Sequence, residues 1–305
     1  MKKALVTGAN GFLGAYLTSE LLKKGVDVIA AGHNGNYENI PEQARPVSLD
    51  IKDFSALKKL IPDKDIDVIF HLAWDGGSGQ KRADYSLQLD NAKYTCDAVK
   101  TASEMGIKRF VGIGSIAQYN CSVFLGDNDM RSDPVICYAA AKNAAQTMGK
   151  AVADSVGVEF VWCFVSNIYG EGDHTTNFIN RVSGMMLNGE RAAFTSGEQS
   201  YDFVHVADTI NGIYLCGEKG LSDHSYYIGS GKPRKLKEFI EVIRDTIDPK
   251  IPLYLGEIPF SGKSVPMEWF DCSKLTDDTG YMPEISFEEG IKRTVMWLRE
   301  RQKDT

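Results

Sequence analysis

The chain has no apolar run approaching the ~20 residues that a membrane-crossing helix needs, so no membrane partner is expected. It has no excess of positive charge. Its 34 Lys and Arg stand against 41 Asp and Glu, a formal net charge of −7, which leaves no basic surface for nucleic acid. Six cysteines are scattered without a C-x-x-C pair, a usage that predicts reduced thiols in a cytoplasm. Five histidines show no metal-ligand spacing, so no metal is expected. No internal repeat or low-complexity tract is present. Met1-Lys2-Lys3 passes directly into an apolar run, which predicts no export signal. With these classes set aside, 305 residues at 43% apolar and 25% charged composition predict a soluble globular chain. It is long enough for one α/β domain with a smaller lobe.

What is present begins at the amino end. Ala4 to Thr7 is short and apolar, as a parallel strand buried on both faces would be. Gly8, Gly11 and Gly14 follow, spaced three apart, and an amphipathic stretch with Leu13, Leu17 and Leu21 comes next. A strand that turns tightly into a helix needs glycine at the turn. It needs glycine again where backbone N–H groups approach a pyrophosphate, and where the helix lies against the strand. The helix amino end then supplies partial positive charge to the phosphates. This strand–glycine–helix context is the one that gives the motif its meaning.

Further on, Tyr138 and Lys142 are four apart and share one face of a helix. A free tyrosine has a pKa near 10 and is a poor base at neutral pH. A neighbouring ammonium favours the phenolate, and so does a cationic oxidised nicotinamide. Tyr138 can then exchange a proton with a sugar hydroxyl or ketone while hydride moves. Lys142 can also bond the nicotinamide ribose. Ser115 follows the strand-like run Arg109 to Ile113, where its hydroxyl can hold the same substrate oxygen. Together these elements predict redox chemistry on a nicotinamide cofactor.

Strand-like runs fall at 3–7, 26–31, 67–72, 108–113 and 158–165, with helical stretches between them at 53–61, 88–105 and 137–156. This alternation predicts a parallel sheet covered by helices on both faces, with ligand at the carboxyl ends of the strands. After about Gly170 the pattern loosens into polar, glycine-bearing stretches at 170–177, 195–200 and 229–233. Residues 1–169 are expected to bind the dinucleotide. Residues 170–305 are expected to form most of a substrate lobe, with 201–218 returning to the first domain.

On these residues the chain resembles the extended short-chain dehydrogenase/reductase family, in its nucleotide-sugar epimerases, dehydratases and ketoreductases. The resemblance takes in Asp67-Val68-Ile69-Phe70-His71-Leu72-Ala73, Asn167-Ile168-Tyr169-Gly170, Asp202 to Asp208, and Gly280-Tyr281-Met282-Pro283 with Phe287 to Ile291. It implies a Rossmann-type doubly wound parallel sheet with a smaller C-terminal lobe. It implies Ser115, Tyr138 and Lys142 as the catalytic set. Cofactor contacts are implied at Gly8, Asn10, Gly11, Phe12, Leu13, Gly14, His33, Asn34, Asp50, Ile51, Leu72, Ala73, Trp74, Asn91 and Lys142. Substrate contacts are implied at Ser115, Asn167, Asn177, Tyr201 and Lys263. A cytoplasmic homodimer acting on a nucleotide-diphosphate sugar is the corresponding expectation.

Three departures refine it. The second strand runs into Gly32-His33-Asn34, where NAD-specific enzymes often place an acidic residue on the ribose diol. Gly32 leaves room for a 2′-phosphate that His33 or Asn34 can bond, which tilts the cofactor from NAD toward NADP; the other reading makes His33 a loop residue. Ile116 and Ala117 follow Ser115, where the family's 4,6-dehydratases carry an Asp-Glu pair, and aliphatic side chains transfer no protons. Tyr201 replaces a family arginine before Asp202, and a second family arginine is missing near Ser261. Lys263, Arg181 and Asn177 are the candidates to replace them on the diphosphate, and each is equally readable as a solvated surface residue. Lysine in that role binds as a point charge. The glycine-rich segment Gly76 to Gly79 reads either as a lid or as a surface loop.

The expected activity is an NAD(P)-dependent epimerisation at C4 of a nucleotide-linked hexose through a transient 4-ketone. The alternative is an NADPH-dependent reduction of a 4-keto-6-deoxy sugar. A non-catalytic cofactor sensor on the same fold would be expected to lose the tyrosine or the lysine, and this chain keeps both.

Overall fold

The apolar run at the amino end becomes an interior strand of a seven-stranded parallel sheet. This strand, β1 (Lys3–Thr7), is buried from Ala4 onward. It pairs on one side with β2 (Asp27–Gly32) and on the other with β4 (Val68–His71). β3 (Arg45–Ser48) lies outside β2. Beyond β4 come β5 (Arg109–Ile113), β6 (Glu159–Val165) and β10 (Ser225–Ile228). The order β10-β6-β5-β4-β1-β2-β3 contains the 3-2-1-4-5-6 arrangement of a doubly wound dinucleotide fold, and it reverses between β1 and β4. The computed structural model describes residues 1–33, 35, 37–126, 136–260, 262 and 264–303.

Two units are distinguished. The first comprises Met1–Val165, Ile210–Ile228 and Ser273–Tyr281. It holds the sheet together with α1 (Phe12–Lys23), α2 (Leu57–Leu60), α3 (Tyr85–Met105), α4 (Ala117–Leu125), α5 (Ile136–Val156) and α9 (Ser273–Thr279). Its core sets sheet residues Leu5, Ile29, Ile69, Phe110, Phe160 and Trp162 against Ala92, Val99, Ala145 and Ala153 of α3 and α5. The Phe110, Phe160 and Trp162 rings stack in sequence at 5.6 and 5.8 Å. Each large side chain so buried contributes about 2 kcal/mol. No helix among the described residues is long and apolar enough to cross a membrane.

Element boundaries follow local chemistry. α3 begins at Tyr85 rather than 88 because the Asp84 carboxylate accepts the Leu87 N–H at 3.1 Å and caps the first turn. It ends at Gly106, which has φ 82°, as a left-handed C-terminal residue should. The helix expected over 53–61 is instead a 3-10 turn, Phe54–Ala56, followed by the single turn α2. Pro62 accounts for the stop, since it pushes Ile61 into extended backbone at φ −125°. β2 runs one residue past its expected end and takes in Gly32.

The second unit comprises Ser166–Thr209, Gly229–Cys272 and Met282–Thr305. Within it β7 (Asn167–Tyr169) pairs parallel with β9 (Phe203–His205), and β8 (Ser200–Tyr201) pairs antiparallel with β11 (Arg234–Lys235). α6 (Phe178–Leu187), α8 (Leu236–Ile247) and α10 (Phe287–Lys303) enclose Tyr169, Val182, Phe203, Phe239, Ile243, Phe287 and Ile291. α7 (Val206–Lys219) starts directly after β9. Asp202 accepts from the Ser230 N–H and hydroxyl, and Asp208 accepts the N–H groups of Glu284 and Ile285 at 3.0 and 2.9 Å. Each of these two carboxylates ties distant parts of the chain together within this unit.

Candidate active site

Two sites of close approach shape the carboxyl end of β1. Gly8 has φ +70°, and a Cβ there would lie 2.8 Å from the Ala73 nitrogen; a Cβ on Gly14 would lie 2.1 Å from the Gly8 carbonyl oxygen. The turn, the start of α1 and the end of β4 are therefore packed backbone to backbone. Thr7 reinforces the junction, because its carbonyl accepts the Leu72 N–H at 3.2 Å and its hydroxyl accepts the Ala73 N–H at 3.4 Å. Gly11 caps α1 in extended backbone with no side-chain cap. The first-turn N–H groups beside Phe12 and Leu13 thus have no side-chain acceptor at that cap. The donor set and the room left by missing Cβ atoms fit a dinucleotide pyrophosphate at the point where the sheet order reverses.

The remaining expected cofactor positions lie around this end of the sheet. The Asn10 carbonyl accepts the Asn39 side-chain amide at 3.2 Å. His33 is exposed, Asp50 is exposed and accepts the Lys52 N–H at 3.0 Å, and Ile51 packs on the core. Asn34 falls outside the described residues. Buried Asn91 pins the loop after β4. Its side-chain oxygen accepts the Asp75 N–H at 2.9 Å, and its amide donates to the Asp75 and Leu87 carbonyls, each at 2.9 Å. Trp74, next in line, donates its indole N–H to Gln88 at 2.9 Å.

This anchored loop meets α5. The Trp74 ring lies edge-on to Tyr138 at 6.0 Å between centroids. The Lys142 ammonium sits 3.6 Å from the Trp74 centroid and 5.8 Å from that of Tyr138, and it donates to the Ile113 carbonyl at 2.7 Å. Tyr138 packs in the same small cluster as Ala117, whose N–H bonds the Ser115 hydroxyl, and that hydroxyl is near enough to lower the phenol. Ser115, Tyr138 and Lys142, separated by up to 27 residues in the chain, are thereby gathered at the ends of β4 and β5.

The electrostatics differ from the expected pairing in one respect. Lys142 was expected to be the cation that favours the Tyr138 phenolate. Burial is the dominant influence and pushes the phenol up, while the Arg82 guanidinium and the Ser115 hydroxyl pull it down. Burial, aided by the Arg82 charge, also drives Lys142 well below the ordinary lysine range. Arg82 lies over the Tyr138 ring with its guanidinium carbon 4.2 Å from the centroid. No periodicity or spacing singles it out in the sequence. It enters through the 3-10 turn Gly79–Ala83, which starts at the last residue of the Gly76–Gly79 segment read as a lid or surface loop.

Gln118 is a second residue that sequence patterns do not single out. It is 1% exposed, and its side-chain oxygen accepts both the Ser115 backbone N–H and the Trp162 indole N–H at 3.1 Å. Its amide donates to Asn143 at 2.8 Å and Gln146 at 2.9 Å. It therefore ties the serine to the helix that carries Tyr138 and Lys142. The Ser115 hydroxyl accepts the Ala117 N–H at 3.2 Å. Behind the site, buried His71 meets the Thr7 hydroxyl through Nδ1 at 2.9 Å and the Thr95 hydroxyl through Nε2 at 3.4 Å. Burial, with Lys142 nearby, lowers its pKa to about 3.

The expected substrate residues Asn167, Asn177 and Tyr201 belong to the second unit. Asn167 donates to the Asp202 carbonyl at 3.0 Å. Asn177 caps α6 by accepting the Asn180 N–H at 2.8 Å, and its amide donates to Asp173 at 2.6 Å. Tyr201 stacks on Phe203 at 5.5 Å, and burial raises its phenol. Lys263 and Ser261 fall outside the described residues, and Arg181 is exposed.

A family model described as the NAD dependent epimerase/dehydratase family matches residues 4–229. A putative UDP-glucose 4-epimerase of Methanocaldococcus jannaschii is 26% identical over 328 residues, covering 98% of this chain and 99% of that protein. A UDP-glucuronate 4-epimerase of Thermodesulfobacterium geofontis is 26% identical over 313 residues, with 97% and 96% covered. The crystal structure of Bordetella bronchiseptica WbmF in complex with NADH superposes with a TM-score of 0.81 at 19% identity, covering 99% of this chain and 93% of that one. That last likeness is one of fold.

Proposed function

Because the chain belongs to the NAD-dependent epimerase/dehydratase family, we propose that it inverts C4 of a nucleotide-diphosphate hexose through a transient 4-keto sugar. The convergence of Tyr138, Ser115 and Lys142 in one cluster carries this reading. A nicotinamide dinucleotide held on Gly8, Gly11 and the amino end of α1 would take the C4 hydride and return it, and its oxidised form would add positive charge beside Tyr138. Tyr138, as phenolate, takes the C4 hydroxyl proton and later gives it back to the ketone oxygen. Ser115 holds that oxygen by hydrogen bond while its charge changes. Lys142 offers its amine as a donor to the ribose. Trp74 and Asn91 fix the loop that keeps these groups in register.

The relatives named for UDP-glucose and UDP-glucuronate support a uridine diphosphate sugar as the substrate class, and the NADH in WbmF supports NAD as the dinucleotide. Asn167, Asn177 and Tyr201, with Lys263, are the proposed nucleotide-contacting set. Exposed Tyr85 and Leu89 of α3 and Met148 of α5, at 69%, 59% and 46% exposure, support self-association as a homodimer. The test incubates the purified protein with UDP-glucose and, separately, UDP-glucuronate, and reads C4 configuration by proton NMR. The C4 epimer without net cofactor consumption supports the proposal, and an unchanged sugar in both reactions contradicts it. Gly32 at the end of β2 favours a second reading, an NADPH-dependent 4-ketoreductase, which would consume one cofactor per product.

A further inference from the structure

The 3-10 turn Gly79–Ala83 places a charge on the reacting tyrosine for which the proposed reaction gives no role. Arg82 stacks its guanidinium 4.2 Å from the Tyr138 centroid. Among the described residues this cation has no carboxylate partner. The nearby acids are otherwise engaged, Asp75 with Lys81 at 3.3 Å and Asp84 in the cap of α3. The Arg82 Nε atom is buried with no hydrogen-bond acceptor among the described residues. A buried donor left unpaired is costly, so this placement is expensive unless the charge has another use.

We propose that Arg82 is a positioning residue for Tyr138, laid on the ring so that its charge stabilises the phenolate and its plane fixes the ring's orientation. The groups facing Tyr138 support this. Lys142, one turn along α5, directs its ammonium to the Ile113 carbonyl and the Trp74 ring. Ser115 supplies a neutral hydroxyl from the loop after β5, and α4 supplies the Cys121 thiol in the same cluster. Arg82 is therefore the cation seated against the ring itself. A guanidinium on an aromatic face is favourable, and it gains further when the ring carries the negative charge of a phenolate. The same charge lowers Lys142, so Arg82 acts on both ionisable members of the cluster. Arginine suits the task because its planar cation stacks and stays charged throughout the working pH range.

The inference rests on the reading of Tyr138 as the proton carrier. Its test measures Arg82→Met, Arg82→Gln and Arg82→Lys by two readouts. The first is the tyrosinate absorbance of each protein minus that of its Tyr138→Phe counterpart, titrated with pH. The second is the pH dependence of bound NAD⁺ reduction by UDP-glucose. Both neutral variants should move the phenolate inflection and the alkaline-activated limb upward by about one pH unit, and Arg82→Lys should restore at least half of that shift. A merely structural role would lower activity without moving either inflection. Arg82→Gln keeps the test available if Arg82→Met fails to fold. Inflections within about 0.2 unit of native in the neutral variants would overturn the inference alone. Full turnover in Tyr138→Phe would overturn the reading beneath it.

Discussion

The Lys142 ammonium lies 3.6 Å from the centre of the Trp74 ring. Its hydrogen bond runs to the Ile113 carbonyl at the end of β5. The lysine is held by an aromatic face and a strand end, so its orientation survives changes at Tyr138. Its charge is nonetheless costly, since burial lowers its pKa well below the ordinary value.

Lys142→Met should therefore separate stability from activity. The unfolded chain binds the lysine proton near its ordinary pKa and the folded chain releases it sooner. Folding is thus disfavoured by Lys142 as pH falls below about 10. Removing the amine should keep or raise stability at neutral pH, by on the order of 1 kcal/mol, and the thermal midpoint with it, while turnover falls at least about tenfold. A large loss of thermal stability in this variant would mean that the Ile113 bond and the Trp74 contact outweigh desolvation.

His71 predicts a specific acid sensitivity. Its folded pKa is lowered from 6.5 to about 3. Between those values the unfolded state holds the extra proton, so stability falls as pH drops through 6.5 and levels off below about 3. The loss should reach about 2 kcal/mol at about pH 5. Urea unfolding near neutrality and near pH 5 should show this loss in the native chain and a reduced one in His71→Asn. An equal loss in both would assign the acid sensitivity to other groups.

Cofactor choice is tested at Gly32. A carboxylate at the end of β2 would repel a 2′-phosphate and bond a ribose diol. Gly32→Asp should weaken NADPH binding by about tenfold or more and leave NADH binding within about threefold, read as dissociation constants for each cofactor. Equal changes for both would show that position 32 does not face the adenosine ribose.

Dehydration should be absent. Eliminating water across C5 and C6 of a 4-keto sugar needs a base for the C5 proton and an acid for the leaving hydroxyl. Ile116 and buried Ala117 occupy the positions after Ser115, and neither exchanges protons. Incubation with dTDP-glucose in deuterated water should leave C5 without deuterium. Deuterium there at a catalytic rate would remove Ser115 from the site.

Much of this arrangement is legible in the chain because local chemistry dictates it. The glycine triplet announces the turn after β1, since no other residue tolerates the approach of Gly8 to Ala73. Tyr138 and Lys142 declare themselves by helical spacing, and the alternation of apolar strands and helices gives the parallel sheet. Arg82 and Gln118 are not legible, because their importance comes from contacts across long sequence separations. Gln118 reaches Trp162, 44 residues on, and Arg82 reaches a ring on α5 from a short polar turn that looks like surface. The shift in the cation beside Tyr138 has the same origin: helical spacing places Lys142 near the ring, but the packing of Trp74 draws the ammonium aside. Pro62 shortens the helix expected over 53–61 by a rule visible in the sequence and outweighed there by the apolar pattern.

The central claim is that the Tyr138 hydroxyl carries the proton of the C4 oxygen. Its most direct measurement is turnover of UDP-glucose or UDP-glucuronate by Tyr138→Phe, alongside the dissociation constant for NAD. Phenylalanine keeps the ring between Trp74 and Arg82 and removes the oxygen alone. Loss of positioned proton transfer should lower turnover by about 10²–10⁴-fold, with NAD affinity within about twofold of native. Turnover within about threefold of native, with cofactor still bound, would contradict the account.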